Sequence, residues 1–162
     1  DEQLSLLEVN LMETNQTIVD IYSRYLFETE VIDTRADHAM NVDELKDAML
    51  RAQEASYGDG LDPEIRHPYM WACKSHYYSS GYNFYNFPYA FGELFAKGVF
   101  AQYLQKGAAF VPDYCRLLRS CGSGTIADVA ASVGIDVRNP DFWRSSLEVV
   151  KGNIDKFCEL VK

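Results

Sequence analysis

The chain of 162 residues has only three histidines, and no two of them are close together. His38 is followed by Ala, His67 by Pro and His76 by Tyr, so the H-E-x-x-H motif is absent. In proteins that have the motif, its two histidines lie four residues apart and place two zinc ligands on one face of a helix. The residues themselves therefore give no zinc site of this kind. The sequence also has no G-x-S-x-G nucleophile motif and no phosphate-binding loop with its lysine.

Cysteine is scarce as well, and no two cysteines form a C-x-x-C pair. A zinc knuckle or a disulfide framework is therefore not expected. We interpret the cysteines as reduced thiols of a cytoplasmic protein. The four are Cys73, Cys115, Cys121 and Cys158.

Acidic residues outnumber basic residues, and the formal net charge is -9. This charge argues against nucleic acid as the main partner. The acidic excess lies in the first 66 residues, where it is compatible with cationic ligands or with a solvated helical face. No apolar run reaches the roughly 18 residues of a membrane span, so we expect no membrane partner. The polar "DEQ" start without Met leads us to expect that the chain begins inside a longer protein.

Hydrophobic residues make up 48% of the chain, and their spacing is helical. Leucine, isoleucine and tyrosine recur at steps of three, four or seven through about Thr34, which predicts a long amphipathic helix. No segment alternates as a strand does between hairpin turns. We predict an all-α, multi-helix bundle that forms a single helical domain over residues 1–162.

Capping residues mark the ends of the other predicted helices. Asn41 and Glu44 form a capping box, and Gly58 ends that helix. Pro68 is expected to open a short helix over "PYMWACKSHYYS", and the next helix covers residues 84–105 with Pro88 near its first turn. Three further helices follow. They are expected at "VPDYCRLLRSC", at "TIADVAASVG", which Thr125 caps, and at "NPDFWRSSLEVVKGNIDKFCELVK", which Asn139 caps. In the last of them, one face is predicted to carry Trp143, Leu147, Val150, Ile154, Phe157, Cys158 and Val161.

The segment "HYYSSGYNFYNFPYAFGELF", residues 76–95, is unusually rich in aromatic residues. His38 and His67 lie in polar or proline-containing loops, whereas His76 lies among tyrosines. Phenols stay protonated near neutral pH and donate hydrogen bonds, which suits recognition of peptide carbonyls or of a developing oxyanion. The same rings could instead fill a core, although buried phenols need partners. Both interpretations fit the composition.

Three stretches resemble the C-terminal part of oligoendopeptidase F, a zinc metallopeptidase family related to thimet oligopeptidase. They are "FYNFPYAFGELF", "GID…NPDFWRSSLEVV" and the earlier "LLEVNLMETNQTIVDIYSRYLFETEV". The resemblance covers nearly the whole chain. It implies that this chain is the C-terminal part of a larger helical metallopeptidase fold with a channel for short peptides. In the family, two histidines of H-E-x-x-H and a later glutamate hold zinc, and the motif's glutamate activates the metal-bound water.

The resemblance also assigns roles. His76 matches a family histidine that faces the metal across the channel, and the catalytic phenols are expected to be Tyr85 and then Tyr82. Tyr89, Tyr78 and Gly81 are expected to bind substrate. The spacing between the histidine and "FY" is longer here than in many relatives, and Phe87 stands where tyrosine is often found. No metal ligand is predicted within the chain.

The resulting hypothesis is an oligoendopeptidase whose zinc ligands lie upstream of this chain. Without them the chain should be inactive and bind no zinc. Its expected partners are an oligopeptide substrate and the N-terminal remainder of the same protein, and the isolated chain is expected to self-associate through exposed aromatic surface. The alternative is a non-catalytic helical domain that binds peptides or serves a structural role.

Overall fold

The computed structural model describes residues 2–162 and forms two compact units. One comprises residues 2–11 with Gly92–Lys162, and the other comprises Met12–Phe91. The described residues contain α-helices, 3-10 helices and one π-helical turn but no strand, which confirms the all-α prediction. That residues 1–162 form a single domain stays a prediction. The α-helices are α1 (Glu2–Asn15), α2 (Ile21–Thr34), α3 (Val42–Tyr57), α4 (Phe87–Lys106), α5 (Val111–Ser120), α6 (Ile126–Ala131) and α7 (Pro140–Leu160).

The Met12–Phe91 unit is built around the packing of α2 on α3. Phe27 of α2 meets Ala48, Met49 and Ala52 of α3 in a buried core. Trp71 stacks on Phe27 with ring centroids 6.4 Å apart. Burying a large apolar side chain stabilises a fold by about 1.5–3 kcal/mol, so this cluster fixes the segment around Trp71 against the helix pair.

The predicted capping box at the start of α3 is confirmed. The Asn41 side chain accepts hydrogen bonds from the backbone N–H groups of Asp43 and Glu44, at 2.9 and 3.0 Å. The Glu44 carboxylate in return accepts from the Asn41 N–H at 2.7 Å. Gly58, with a φ of 55°, ends the helix as predicted, because few other residues adopt that conformation without strain.

The long first helix ends at Thr34 as predicted, but it is interrupted by a π-helical turn over Gln16–Asp20. Asp20, in this turn, is buried and pairs with Arg24. It also accepts a hydrogen bond of 3.2 Å from the Tyr57 hydroxyl. The Val19 carbonyl accepts from the Ser56 hydroxyl of α3. The contacts with Ser56 and Tyr57, each 37 positions away in sequence, accompany a turn type that helical periodicity does not reveal.

The segment between α3 and α4 differs from the prediction. Instead of one helix after Pro68, two 3-10 helices form, Met70–Cys73 and Ser75–Tyr78. They are separated at Lys74, whose backbone is extended. The helix predicted from residue 84 begins at Phe87 instead, because Phe84 has a φ of 54° and cannot continue a right-handed helix. Pro88 does fall in the first turn of α4.

The other unit has a core contributed by four helices and the loops beside them. Its buried residues are Val99, Phe110, Leu117, Ala130, Val133, Ile135 and Phe142. Thr125 and Asn139 cap α6 and α7, as predicted. The predicted face of α7 is wrong in part: Phe142 and Ser146 are buried, whereas Leu147 and Ile154 are each 46% exposed. The buried stripe faces Gly98 of α4, since a Cβ added there would lie 2.5 Å from Phe142 Cζ and 2.7 Å from Ser146 Oγ.

Within residues 2–162, none of the helices combines the length and the apolar character that a membrane span requires.

Candidate functional site

The structure brings His76 together with three of the predicted tyrosines. The His76 ring centroid lies 6.1 Å from that of Tyr82, 5.5 Å from Tyr85 and 6.1 Å from Tyr89. Tyr82 and Tyr85 are 4.9 Å apart and edge-on, and Tyr85 and Tyr89 are 5.9 Å apart and also edge-on. We call these four residues the aromatic cluster. Edge-to-face packing at such distances is favourable and holds the rings in defined orientations.

Local structure explains why these four side chains converge. His76 lies in the 3-10 helix Ser75–Tyr78, and Tyr89 lies in the first turn of α4. Between them, backbone hydrogen bonds from Tyr82 N to Ser79 O, 2.9 Å, and from Tyr85 N to Tyr82 O, 3.0 Å, close two successive turns. These turns reverse the chain, so residues up to 13 positions apart in sequence share one surface.

The phenols of the cluster are accessible and available for hydrogen bonding. Tyr82, Tyr85 and Tyr89 are 48%, 40% and 44% exposed. Within the described part of the chain, neither their hydroxyls nor the His76 imidazole makes a hydrogen bond to a protein group. The cluster therefore offers three hydroxyl donors and one imidazole to a ligand.

Tyr77, which neighbours the cluster in sequence, has a different environment. It packs on Phe27 with ring centroids 5.4 Å apart, and its hydroxyl donates to the Arg24 carbonyl at 3.3 Å. Burial, reinforced by the negative charge of Glu28, raises the pKa of the Tyr77 phenol above its usual value. Tyr77 is thus a core residue that anchors the 3-10 helix bearing His76.

A pocket lies beside the cluster, and its lining comes from three segments of the Met12–Phe91 unit. Helix α2 contributes Ile21, Arg24 and Glu28. The second 3-10 helix and the residue before it contribute Lys74, His76 and Tyr77. The start of α4 and the residues before it contribute Tyr85, Asn86 and Tyr89.

The lining of this pocket includes charged and polar side chains. Glu28 is only 8% exposed, and its two carboxylate oxygens accept from Phe84 N, 2.7 Å away, and from Asn86 Nδ2, 2.8 Å away. Arg24 is paired with Asp20. Lys74 forms no ion pair with any residue that the structure describes, so it is the cation of the lining that remains free to meet an anionic group.

Two of the predicted site residues, Tyr78 and Gly81, neither belong to the cluster nor line the pocket. Tyr78 is 63% exposed, and its hydroxyl donates to the Ala72 carbonyl at 3.4 Å. Gly81 lies on the exposed turn before Tyr82, and an added Cβ would meet no atom within 4 Å. The described residues therefore do not make a glycine necessary at position 81 for packing.

The chain is similar to oligopeptidase PepF of Bacillus subtilis (strain 168). The two are 27% identical over 105 residues, which cover 65% of this chain and 15% of PepF. The chain thus spans only about 15% of the length of the curated relative it matches. No protein-family model and no solved structure matches it. The similarity indicates a distant relationship to oligopeptidase F and therefore a relationship to peptidases.

The sequence interpretation missed the polar half of the pocket, namely Arg24, Glu28, Lys74 and Asn86. A signal was available for one of them. Glu28 stands seven residues after Ile21, so it continues the apolar stripe of the first predicted helix. A carboxylate on an apolar stripe is expected to be buried, and it then needs a hydrogen-bond partner elsewhere in the chain.

Proposed function

We propose that this chain is the C-terminal part of a zinc-dependent oligoendopeptidase that hydrolyses peptide bonds in short peptides. In this proposal it supplies substrate-binding and oxyanion-stabilising groups opposite a zinc site. The observation that carries the proposal is the aromatic cluster beside a pocket, in which three exposed phenols surround His76 and their hydroxyls make no hydrogen bond to any of residues 2–162. The similarity to oligopeptidase PepF adds support at the level of the family.

Within this proposal the phenols act on the carbonyl of the peptide bond to be cleaved. As the carbonyl carbon is attacked, negative charge develops on its oxygen, and a positioned hydroxyl stabilises that charge by donating a hydrogen bond. We assign this role first to Tyr85, whose ring is the nearest of the three to His76, at 5.5 Å. Tyr82 comes second, because its ring lies 4.9 Å from that of Tyr85, whereas the Tyr89 ring lies 5.9 Å away. His76 supports the donating phenol and binds substrate backbone.

The remaining assignments concern substrate binding. Tyr89 lines the same pocket as His76, which supports its assignment to substrate binding. Tyr78 and Gly81 lie on the neighbouring exposed surface and would extend the contact along the peptide.

The proposal places the zinc ligands outside the described residues. Among residues 2–162 there is no group of three or more His, Cys, Asp or Glu side chains arranged to hold a metal ion. We therefore place the zinc ligands in a part of the protein outside these residues. On this basis the isolated chain should neither bind zinc stoichiometrically nor cleave peptides, and metal analysis of the purified chain tests the first point.

The same proposal names partners and a location. The partners are the oligopeptide substrate and the N-terminal remainder of the protein, and the location is the cytoplasm. The isolated chain is proposed to self-associate, since its half-exposed rings would otherwise stay in water. Light scattering over a wide concentration range tests this point, and a monomer at every concentration would contradict it.

The decisive experiment uses the full protein and a fluorogenic oligopeptide. Tyr85→Phe removes one hydroxyl and leaves the ring packing, so kcat should fall by about 10²–10³ with little change in KM. Tyr82→Phe should lower kcat in the same manner. The matched control is Tyr114→Phe, an exposed phenol of α5 in the other unit, which should leave kcat unchanged.

Two outcomes would contradict the proposal. Unchanged turnover in both Tyr85→Phe and Tyr82→Phe would show that the oxyanion assignment is wrong. A wild-type protein that binds the oligopeptide but never cleaves it would favour a non-catalytic peptide-binding domain.

A further inference from the structure

We propose that Glu28 is a positioning residue, whose buried carboxylate holds the turn of residues 82–86 and thereby sets where the Tyr82 and Tyr85 phenols stand relative to His76. This role deepens the proposed function and rests on it. Glu28 itself would not touch substrate, because both of its carboxylate oxygens are already engaged by the chain.

The contacts of Glu28 reach far along the sequence. Its Oε1 accepts from the Phe84 N–H at 2.7 Å, 56 positions away, and its Oε2 accepts from Asn86 Nδ2 at 2.8 Å, 58 positions away. Hydrogen bonds to an ionised carboxylate are shorter and stronger than those between neutral groups. A carboxylate that is only 8% exposed also needs such partners, since it has lost most of its contact with water.

The backbone that Glu28 holds is strained. Phe84 is the one non-glycine residue with a positive φ, 54°, among the residues that the structure describes. A side chain with a Cβ rarely adopts this conformation unless its surroundings enforce it. Here the N–H of Phe84 is held by Glu28, and its ring packs on Tyr25 of α2 with centroids 5.9 Å apart. Both constraints come from α2.

Phe84 stands between the two phenols in sequence, so its backbone conformation controls their relative directions. Phe84 is the third residue of the turn that closes through Tyr85 N to Tyr82 O, 3.0 Å, and the first residue of the turn that closes through Phe87 N to Phe84 O, 3.3 Å. If Phe84 relaxed to a right-handed conformation, the Tyr85 ring would leave its place 5.5 Å from His76. Loss of Glu28 should therefore disperse the cluster while α2 and α3 stay folded.

Nuclear magnetic resonance of the imidazole protons reads this geometry directly. The chain has only three histidines, and the rings around His76 shift its imidazole signals by their ring currents. In Glu28→Ala the His76 signals should move toward those of an unstructured histidine. The signals of His38 and His67, which lie outside the cluster, should stay in place.

Two further variants keep the test decisive. Glu28→Gln retains the shape and one acceptor oxygen, but its NH₂ group would face one of the two donors, so the His76 signals should move by a smaller amount. Glu30→Gln is the matched control: Glu30 lies on the same helix and pairs with Arg51, and its change should leave the His76 signals in place. If Glu28→Ala does not fold, the His76 signals of Glu28→Gln alone decide whether Glu28 positions the cluster.

Turnover of the full protein completes the test. A displacement of about 1 Å in a catalytic group lowers turnover by about 10²-fold, so Glu28→Ala should lose that much in kcat with little change in KM. Unmoved His76 signals in both Glu28 variants would overturn the positioning role, whatever the activity. If the His76 signals move in the Glu28 variants and Tyr85→Phe lowers turnover, but the Glu28 variants keep full turnover, then the positioning by Glu28 has no importance for catalysis. If Tyr85→Phe is also without effect, the proposed function itself is wrong.

Discussion

Replacing Gly98 with alanine would test how closely α4 approaches α7. A Cβ at this position would lie 2.5 Å from Phe142 Cζ, 2.6 Å from Phe142 Cε2 and 2.7 Å from Ser146 Oγ. Contacts under 3.0 Å are essentially never seen for a real Cβ, so the ring or a helix must move. Phe142 has little freedom to do so, because Phe95 and Trp143 pack on it at 5.7 and 5.1 Å.

The magnitude follows from two opposing effects. Forcing extra atoms into a packed core costs about 1–3 kcal/mol. Alanine in a helix interior is favoured over glycine by about 1 kcal/mol, which offsets part of that loss. The matched control is Gly152→Ala in α7, where an added Cβ meets nothing within 4 Å, so this variant should be stabilised by about 1 kcal/mol. Gly98→Ala should therefore be less stable than Gly152→Ala by about 1–3 kcal/mol.

Urea unfolding followed by circular dichroism measures this difference, and the melting temperatures should differ by about 2–4 °C for each kcal/mol. Combining Gly98→Ala with Phe142→Leu should cost less than the sum of the two single changes, because the smaller side chain at position 142 frees space for the new Cβ. Equal stability of Gly98→Ala and Gly152→Ala would refute the close packing of α4 on α7.

Two other predictions concern local chemistry. Asn41→Ala removes the acceptor for the N–H groups of Asp43 and Glu44 and should lower the free energy of unfolding by about 1 kcal/mol. Asn41→Ser keeps a capping oxygen and should retain most of that stability. Equal losses for the two variants in urea titrations would contradict the capping role. Burial and the adjacent Asp20 raise the pKa of the Tyr57 phenol from 10.0 to about 12. The stability that this shift contributes is present below pH 10 and is lost as pH rises toward 12, since the unfolded chain releases the proton first. The difference between the ultraviolet absorbance titrations of wild type and Tyr57→Phe should be centred near pH 12, and a midpoint at pH 10 would count against it.

Features that depend on neighbouring residues could be predicted from the sequence. The caps at Asn41, Thr125 and Asn139 follow from side chains that satisfy N–H groups two or three positions away. The helix end at Gly58 follows in the same way from the freedom of glycine. These interactions form within one turn, so the sequence contains all the information that they need.

Features that depend on distant residues could not be predicted. The π-helical turn at Gln16–Asp20 is accompanied by a hydrogen bond to Tyr57, 37 positions beyond Asp20. The late start of α4 follows from the positive φ of Phe84, whose N–H is held by Glu28. A composition rich in aromatic residues gives no indication of either contact, because each partner lies on a helix far away in the chain.

The tyrosines of residues 76–95 show why the candidate site could be predicted only in part. In the sequence Tyr77 and Tyr85 look alike, since each is a phenol within an aromatic stretch. In the structure Tyr77 is part of the core and donates its hydroxyl to the Arg24 carbonyl, whereas the Tyr85 hydroxyl is exposed and has no protein partner in the described chain. A buried phenol must use its hydroxyl within the fold, so only a phenol at the surface can offer it to a ligand. Whether a hydroxyl already has a partner therefore separates Tyr77 from Tyr85, and for Tyr77 it depends on a contact with α2 that lies about 50 residues away in sequence.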